Sequence, residues 1–194
     1  MHSLKVIFFL SVLLAWSAGD IFGQDSNNAG VEVQAYPAGI IIGSRGGISF
    51  SNQQEVNARF GYNFTDRRDF GKHDNEEGGG LGFGAGYRYY FGKKLAGFFA
   101  GARSDLWFLK IDWVDTRTIC GTVPPCFEMD VKGRTDIIVL QPTVEIGYDI
   151  LKSNPAWILA PTLSFGAEIN IKTKGEEVGE GAILLGGLNV NYRF

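Results

Sequence analysis

The sequence predicts an all-β fold, eight antiparallel strands closed into a transmembrane β-barrel. Three observations carry the prediction. Apolar and polar residues alternate with period two over most of the chain. The apolar faces so defined are almost free of charge, whereas the polar faces hold glycines and isolated ions rather than the dense Lys and Glu of a solvated surface. Beyond the first hairpin the connections alternate short and long, the rhythm of a membrane barrel with tight turns at one end and loops at the other.

The N-terminal stretch stands outside this pattern. Lys5 precedes an apolar run from Val6 to Trp16, followed by small and polar residues, which is the layout of a secretory signal peptide. The run is shorter than the about 20 apolar residues that a spanning helix needs. Cleavage after Gly23 gives a signal peptide over 1–23, with a site after Ala18 as the alternative. Residues 24–30 then form a short polar leader and 31–194 the barrel. The mature chain of about 170 residues fits one domain. No Cys lies near the cleavage site, so no lipid anchor is expected. A net charge of only -3 argues against a nucleic-acid partner, which calls for a clustered basic surface.

The strands follow in order. Val31 to Tyr36 alternates, and Pro37, Ala38 and Gly39 read either as a tight turn or, with Pro37 inside, as part of one longer strand. The turn gives eight strands and the alternative seven; an even number is expected for single-chain bacterial barrels. Ile40 to Phe50 sets Ile40, Ile42, Ile48 and Phe50 against Arg45, and Ser51 to Gln54 turns the chain. Val56, Ala58, Phe60, Tyr62 and Phe64 then alternate with Asn57, Arg59, Gly61 and Asn63, so that a slip of one residue would invert every side chain. Thr65 to Gly80, charged and ending in glycines, reads as a loop. Leu81 to Phe91 and Ala96 to Ile111 are strands joined by Gly92-Lys93-Lys94. A second long loop is expected over Asp112 to Gly133, then strands over Thr135 to Ile150 and Trp157 to Ile171, a third loop over Lys172 to Gly181, and a last strand over Ala182 to Phe194.

Alternation alone does not say which face is inside, and a secreted barrel with an apolar cavity is the rival. Composition separates the two. Gly with Arg59, Arg88, Arg103, Asp105, Glu145, Glu168 and Arg193 suits the crowded inside of a narrow barrel, while the Trp, Tyr and Phe of the apolar faces fall near strand ends, as interfacial girdles do. In water such an exterior would be one very large apolar patch. Lipid contact is the reading adopted. Eight strands leave an interior that side chains just fill, so an open pore is not expected.

In the last strand Phe194, Tyr192, Val190, Leu188, Gly186, Leu184 and Ala182 share a face, opposite Arg193, Asn191, Asn189, Gly187, Leu185 and Ile183. With Phe194 terminal and Tyr192 two residues before it, the chain resembles the small bacterial outer-membrane β-barrel family of porin-like and cell-surface proteins. The resemblance implies a Gram-negative outer membrane, short periplasmic turns, longer extracellular loops and both termini periplasmic. It also implies that Tyr192 and Phe194 form the signal read by the barrel assembly machinery.

Three sets of residues carry candidate chemistry. The inward ions are expected to form a lumen network in which Arg59, Arg88, Arg103 and Arg193 neutralise Asp105, Glu145 and Glu168, because an unpaired charge in a low-dielectric lumen is costly. His73, the sole histidine of the mature chain, lies among Asp66, Asp69, Asp74, Glu76 and Glu77. With Asp69 or Asp74 it is a candidate general base for acyl transfer or hydrolysis, although no Gly-x-Ser-x-Gly motif accompanies it. Cys120 and Cys126, close together in an exported chain, read as a local disulfide rather than a redox or zinc centre. No metal site or cofactor is expected. The functional expectation is a structural or surface-interaction protein with a filled lumen, partnered by outer-membrane lipids, lipopolysaccharide and an extracellular ligand at its loops. The alternative is a lipid-modifying enzyme using His73 at the extracellular rim.

Overall fold

Eight strands form in chain order: β1 (Asn28–Tyr36), β2 (Gly39–Ser51), β3 (Gln54–Asp66), β4 (Asn75–Tyr90), β5 (Gly97–Ile119), β6 (Phe127–Leu151), β7 (Trp157–Lys174) and β8 (Gly181–Arg193). The structure is a computed structural model and describes residues 27–68, 70–92, 95–120, 126–151 and 156–194. The expected signal peptide, 1–23, and residues 24–26 of the leader lie outside the described residues. Each strand pairs antiparallel with the next, and β1 pairs with β8, so the sheet closes on itself without an edge. Asn27 and Phe194 extend the closing ladder by exchanging backbone hydrogen bonds of 3.1 and 2.9 Å.

Side-chain alternation sorts the two faces. Val33, Ile42, Phe60, Phe83, Phe108, Val144, Phe165 and Leu188 are exposed on the outer wall, while Glu32, Arg45, Arg59, Arg88, Arg103, Glu145 and Asn189 are buried inside. Aromatic residues crowd the outer wall at the end that holds the two termini. There Trp157 meets Tyr192 at 5.3 Å between ring centroids, Phe91 meets Tyr89 and Phe98 at 5.4 Å each, and Phe50 meets Tyr87 at 6.3 Å.

Pro37 and Ala38 form the tight turn between β1 and β2, which settles the strand count at eight. Tyr36 pairs with Gly39 across that turn. Gly39 has φ +154°, and a Cβ there would run into the carbonyl oxygen of Phe64, so glycine is required. This turn belongs to the end of the barrel that also carries the β3–β4, β5–β6 and β7–β8 connections, called here the loop end; the other is the terminal end.

Strands run further than the sequence pattern suggested. Asn28, Ala29 and Gly30, read as leader, pair with Arg193, Tyr192 and Asn191, because the Asn28 amide finds an inward partner in Glu55 at 2.8 Å. The glycine run 78–80, read as loop, lies within β4; Cβ atoms at Gly78 and Gly80 would strike the backbone carbonyls of Lys110 and Phe108. The expected second loop is mostly strand. β5 and β6 continue as a two-stranded hairpin to Ile119↔Phe127, with Arg134 and Asp112 paired at 2.6 Å across it. β4 begins at Asn75 opposite Val114 and β7 ends at Lys174 opposite Asp136, so this hairpin rises alone beyond the rim.

Candidate functional site

Inward side chains occupy the barrel in layers. At the terminal end Tyr90, Leu95, Phe99 and Ala160 pack together. Above them sits a belt of ions. Glu32 of β1 accepts from Arg59 at 2.8 Å and from Arg103 at 2.7 Å, and Asp105 of β5 takes the other sides of the same two guanidinium groups at 2.7 and 3.3 Å. The result is a ring of alternating charge built from β1, β3 and β5. Arg88 grips Glu145 with two hydrogen bonds, 2.6 and 3.2 Å, while its guanidinium lies 4.3 Å from the centre of the Phe99 ring. Arg45 pairs with Glu55. All these side chains are nearly fully buried, and the fork geometry of arginine suits such pairing because two donors meet two acceptors at once.

Above the belt lies a second apolar layer: Tyr36, Ile41, Trp107, Leu109, Ile111, Trp113, Ile137, Val139, Ile183 and Leu185. Trp107 ties the layers together. Its ring lies 5.1 Å from the Arg59 guanidinium carbon, and its indole N–H donates to Gln141 at 2.7 Å. A buried indole needs such a partner for its N–H.

The members of the expected lumen network are not all brought together. Arg59, Arg103 and Asp105 share the ring, and Arg88 holds Glu145 beside it. Glu168 does not join them. It lies at the loop end, where Arg67 holds it at 2.9 Å. Arg193 is at the opposite end, 4.0 Å from Asp149 and donating to the Leu95 carbonyl at 2.8 Å. Glu32, Arg45, Glu55, Arg67 and Glu76 complete the pairings; in the sequence only alternation marks the first three as inward, and Arg67 and Glu76 fall within the expected loop over Thr65 to Gly80.

At the loop end Glu76 is fully buried and acts as a hub. Its carboxylate accepts from the backbone N–H groups of Lys72 at 2.7 Å, His73 at 3.3 Å and Gly179 at 3.0 Å, and from Arg67 at 3.4 Å. It thereby fastens the β3–β4 loop to the β7–β8 loop. His73 adds a second fastening. Its Nδ1 lies 3.0 Å from Asp115 of β5, its Nε2 lies 3.1 Å from the Glu177 carbonyl, and its ring stacks on Trp113. Lys72 and Glu177 pair beside it at 2.5 Å. The hydrogen bond from His73 holds the Asp115 carboxyl below the usual carboxylate range, and that from Lys72 does the same for Glu177.

The expected partners of His73 stand differently. Asp74 accepts from the Thr116 N–H at 2.7 Å, Asp115 takes the place beside the ring, and Asp69 lies outside the described residues. Among the described residues no Ser or Thr hydroxyl bonds to His73. Cys120 and Cys126 are joined by a disulfide at the tip of the β5–β6 hairpin. Tyr192 and Phe194 both face outward. Among the described residues no group of His, Cys, Asp and Glu is arranged to hold a metal ion.

No family model matches the chain, and no curated protein matches it. Solved structures do. The N-terminal β-barrel domain of Pseudomonas aeruginosa OprF is similar at 16% identity, covering 89% of this chain and 100% of that one, with a TM-score of 0.49. Neisserial surface protein A is similar at 12% identity over 87% of this chain and 94% of that one, with a TM-score of 0.40. The attachment invasion locus protein Ail of Yersinia pestis, solved with the heparin analogue sucrose octasulfate, is similar at 11% identity over 88% and 97%, with a TM-score of 0.40. At these identities and scores the likeness is one of strand layout, and the site rests on its own geometry.

Proposed function

We propose that this chain is an outer-membrane β-barrel with a sealed interior, a structural or surface-interaction protein that presents its loop end outside the cell. The observation that carries the proposal is the inversion of the two faces. Exposed Val, Ile, Leu and Phe cover the outer wall on all eight strands, while nearly every buried ion points inward. In water that wall would be an apolar patch far beyond what soluble proteins expose; in hydrocarbon it is the required surface, and closure leaves the sheet no edge strand. The aromatic girdle marks the interface on the terminal side, which the proposal places in the periplasm. Residues 1–23 then serve export, and the terminal strand with Tyr192 and Phe194 is offered to the assembly machinery.

Two apolar layers flanking an ionic belt of nearly fully buried side chains support a plug rather than a pore. The latched loop end supports a presented surface: Glu76 and His73 hold three elements in fixed relation, so the loops are displayed rather than loose. The lipid-modifying alternative gains no support from His73, both of whose ring nitrogens are engaged.

Refolded protein in planar bilayers, checked for a mobility shift on unboiled gels, tests the proposal. The expected result is a folded, inserted protein without steady conductance. A stable ohmic channel from the folded protein overturns the sealed interior, and a chain that folds only in water overturns the membrane assignment.

A further inference from the structure

The charges around the loop-end rim are unevenly distributed. On β3 and β4 the outward positions there are Asp66, which pairs with Arg68 at 3.3 Å, and its cross-strand neighbour Glu77. On β5, β6 and β7 they are Lys110, Asp136 and Lys174 in one row and Phe108, Ile138 and Lys172 in the row beneath. Arg134 and Asp112, one row higher, neutralise each other. Lys110, Lys172 and Lys174 are exposed, and none of the three has a carboxylate within ion-pair distance among the described residues. Neighbouring strands lie about 4.8 Å apart, so the three ammonium groups reach a common patch, with Asp136 the one anion in their two rows.

The outer wall beneath that patch is also distinctive. On the same three strands, with β4, it is indented into an apolar groove where small residues, Ala102, Ser104, Pro142 and Gly166, lie between the larger Tyr87 and Phe165. Along β5 the groove at Ser104 is six residues below Lys110, about 20 Å of strand. A strand tilt of about 40° converts this to about 15 Å of depth, half the hydrocarbon thickness of about 30 Å. The groove therefore sits near mid-membrane, and the lysines sit at the level of the head groups.

Building on the outer-membrane reading, we infer that Lys110, Lys172 and Lys174 with the groove at Ala102, Ser104, Pro142 and Gly166 form a binding site for a multiply phosphorylated acyl lipid of the outer leaflet. The lysines take the phosphates and the groove takes an acyl chain. The occupant is fixed by both ends of the site: the patch needs an anion, and an apolar groove opening onto the bilayer needs a chain already dissolved there. Three cations around Asp136 favour a head group with more than one phosphate. The β3–β4 sector, where Arg68 only offsets Asp66 and Glu77 adds an anion, offers no such patch, so the lipid is held on one side of the barrel.

The test uses the full mature chain refolded in zwitterionic micelles, with native mass spectrometry after addition of diphosphoryl lipid A, the same lipid stripped of its phosphates, or phosphatidylglycerol. Wild type is expected to retain one diphosphoryl lipid at least about tenfold better than either comparison lipid, each lysine near a membrane surface adding to anion binding. Lys110→Gln with Lys172→Gln and Lys174→Gln removes the preference, while Arg68→Gln with Arg117→Gln, away from the patch, leaves it. Ala102→Leu with Ser104→Leu fills the groove and weakens retention with the lysines intact. Equal retention of the three lipids by wild type, or an undiminished preference in the triple lysine variant, overturns the site alone. A wild-type chain that shows no shift on unboiled gels overturns the barrel reading, and the site falls with it.

Discussion

The imidazole of His73 lies flat on the indole of Trp113, with ring centroids 4.2 Å apart and planes 9° from parallel. Both ring nitrogens face oxygens that only accept, the Asp115 carboxylate and the Glu177 carbonyl. Both hydrogen bonds are made together only when both nitrogens carry protons, and a cationic ring over an indole is further favoured. The stack with its two polar contacts is thus a fastening for the β3–β4 loop.

Replacing His73 with Ala is expected to free the loop without unfolding the barrel. Amide exchange at residues 72–74 and at Gly179 should rise about tenfold or more, while the mobility shift on unboiled gels persists. Exchange unchanged from wild type would show that Glu76 alone holds the loop.

Glu76 itself is expected to matter more. Alanine there leaves the N–H groups of Lys72, His73 and Gly179 without their acceptor and Arg67 with Glu168 alone. Breaking a buried pair of this kind costs about 3–5 kcal/mol. Urea unfolding of the refolded protein in micelles measures it, and a loss under about 1 kcal/mol would remove the hub role.

Acid should loosen the same region. The Asp115 and Glu177 carboxyls are both depressed in the folded protein, so each contributes stability above its unfolded value and loses it as pH falls through its folded one. Exchange at residues 72–74, corrected for intrinsic rate, is expected to stay slow at about pH 6 and to accelerate only below the ordinary carboxylate range near about 4. Acceleration that is complete by pH 5 would contradict these depressed values.

The ionic belt predicts a non-additive pair. Glu145→Leu strands a buried Arg88 and should destabilise by about 3–5 kcal/mol, whereas Arg88→Leu with Glu145→Leu should recover a large part of that loss. Strict additivity in unfolding midpoints would mean that the two groups do not depend on each other.

What the sequence disclosed depended on which signal each residue left. The outer wall was legible because Val56 to Phe64 and its counterparts obey strict period two, and the ions Arg59, Arg103 and Asp105 were legible as interruptions of the inward face. The upper apolar layer was not, although it has a signature: Ile40-Ile41-Ile42, Leu106 to Leu109, Ile137 to Leu140 and Ile183 to Leu185 are runs apolar on both faces, the pattern of strands buried on both sides. The hairpin beyond Ile111 left a weaker signal, because past Val114 neither face of β5 is buried and no apolar alternation marks the strand. Glu76 as a hub left no signal, since its partners are backbone N–H groups that only tertiary contact brings near.

The ring of Arg59, Glu32, Arg103 and Asp105 has a consequence for how the chain reaches its final form. Its four ions come from the first, third and fifth strands, and Glu32 sits on the strand whose pairing with the eighth completes the cylinder. A slip of one residue along that seam would turn Glu32 to the outer wall and leave two guanidinium groups sharing one carboxylate. Only the correct seam lets all four shed water together. The ring therefore proofreads closure: a misregistered cylinder forfeits the pairing of four buried ions at once.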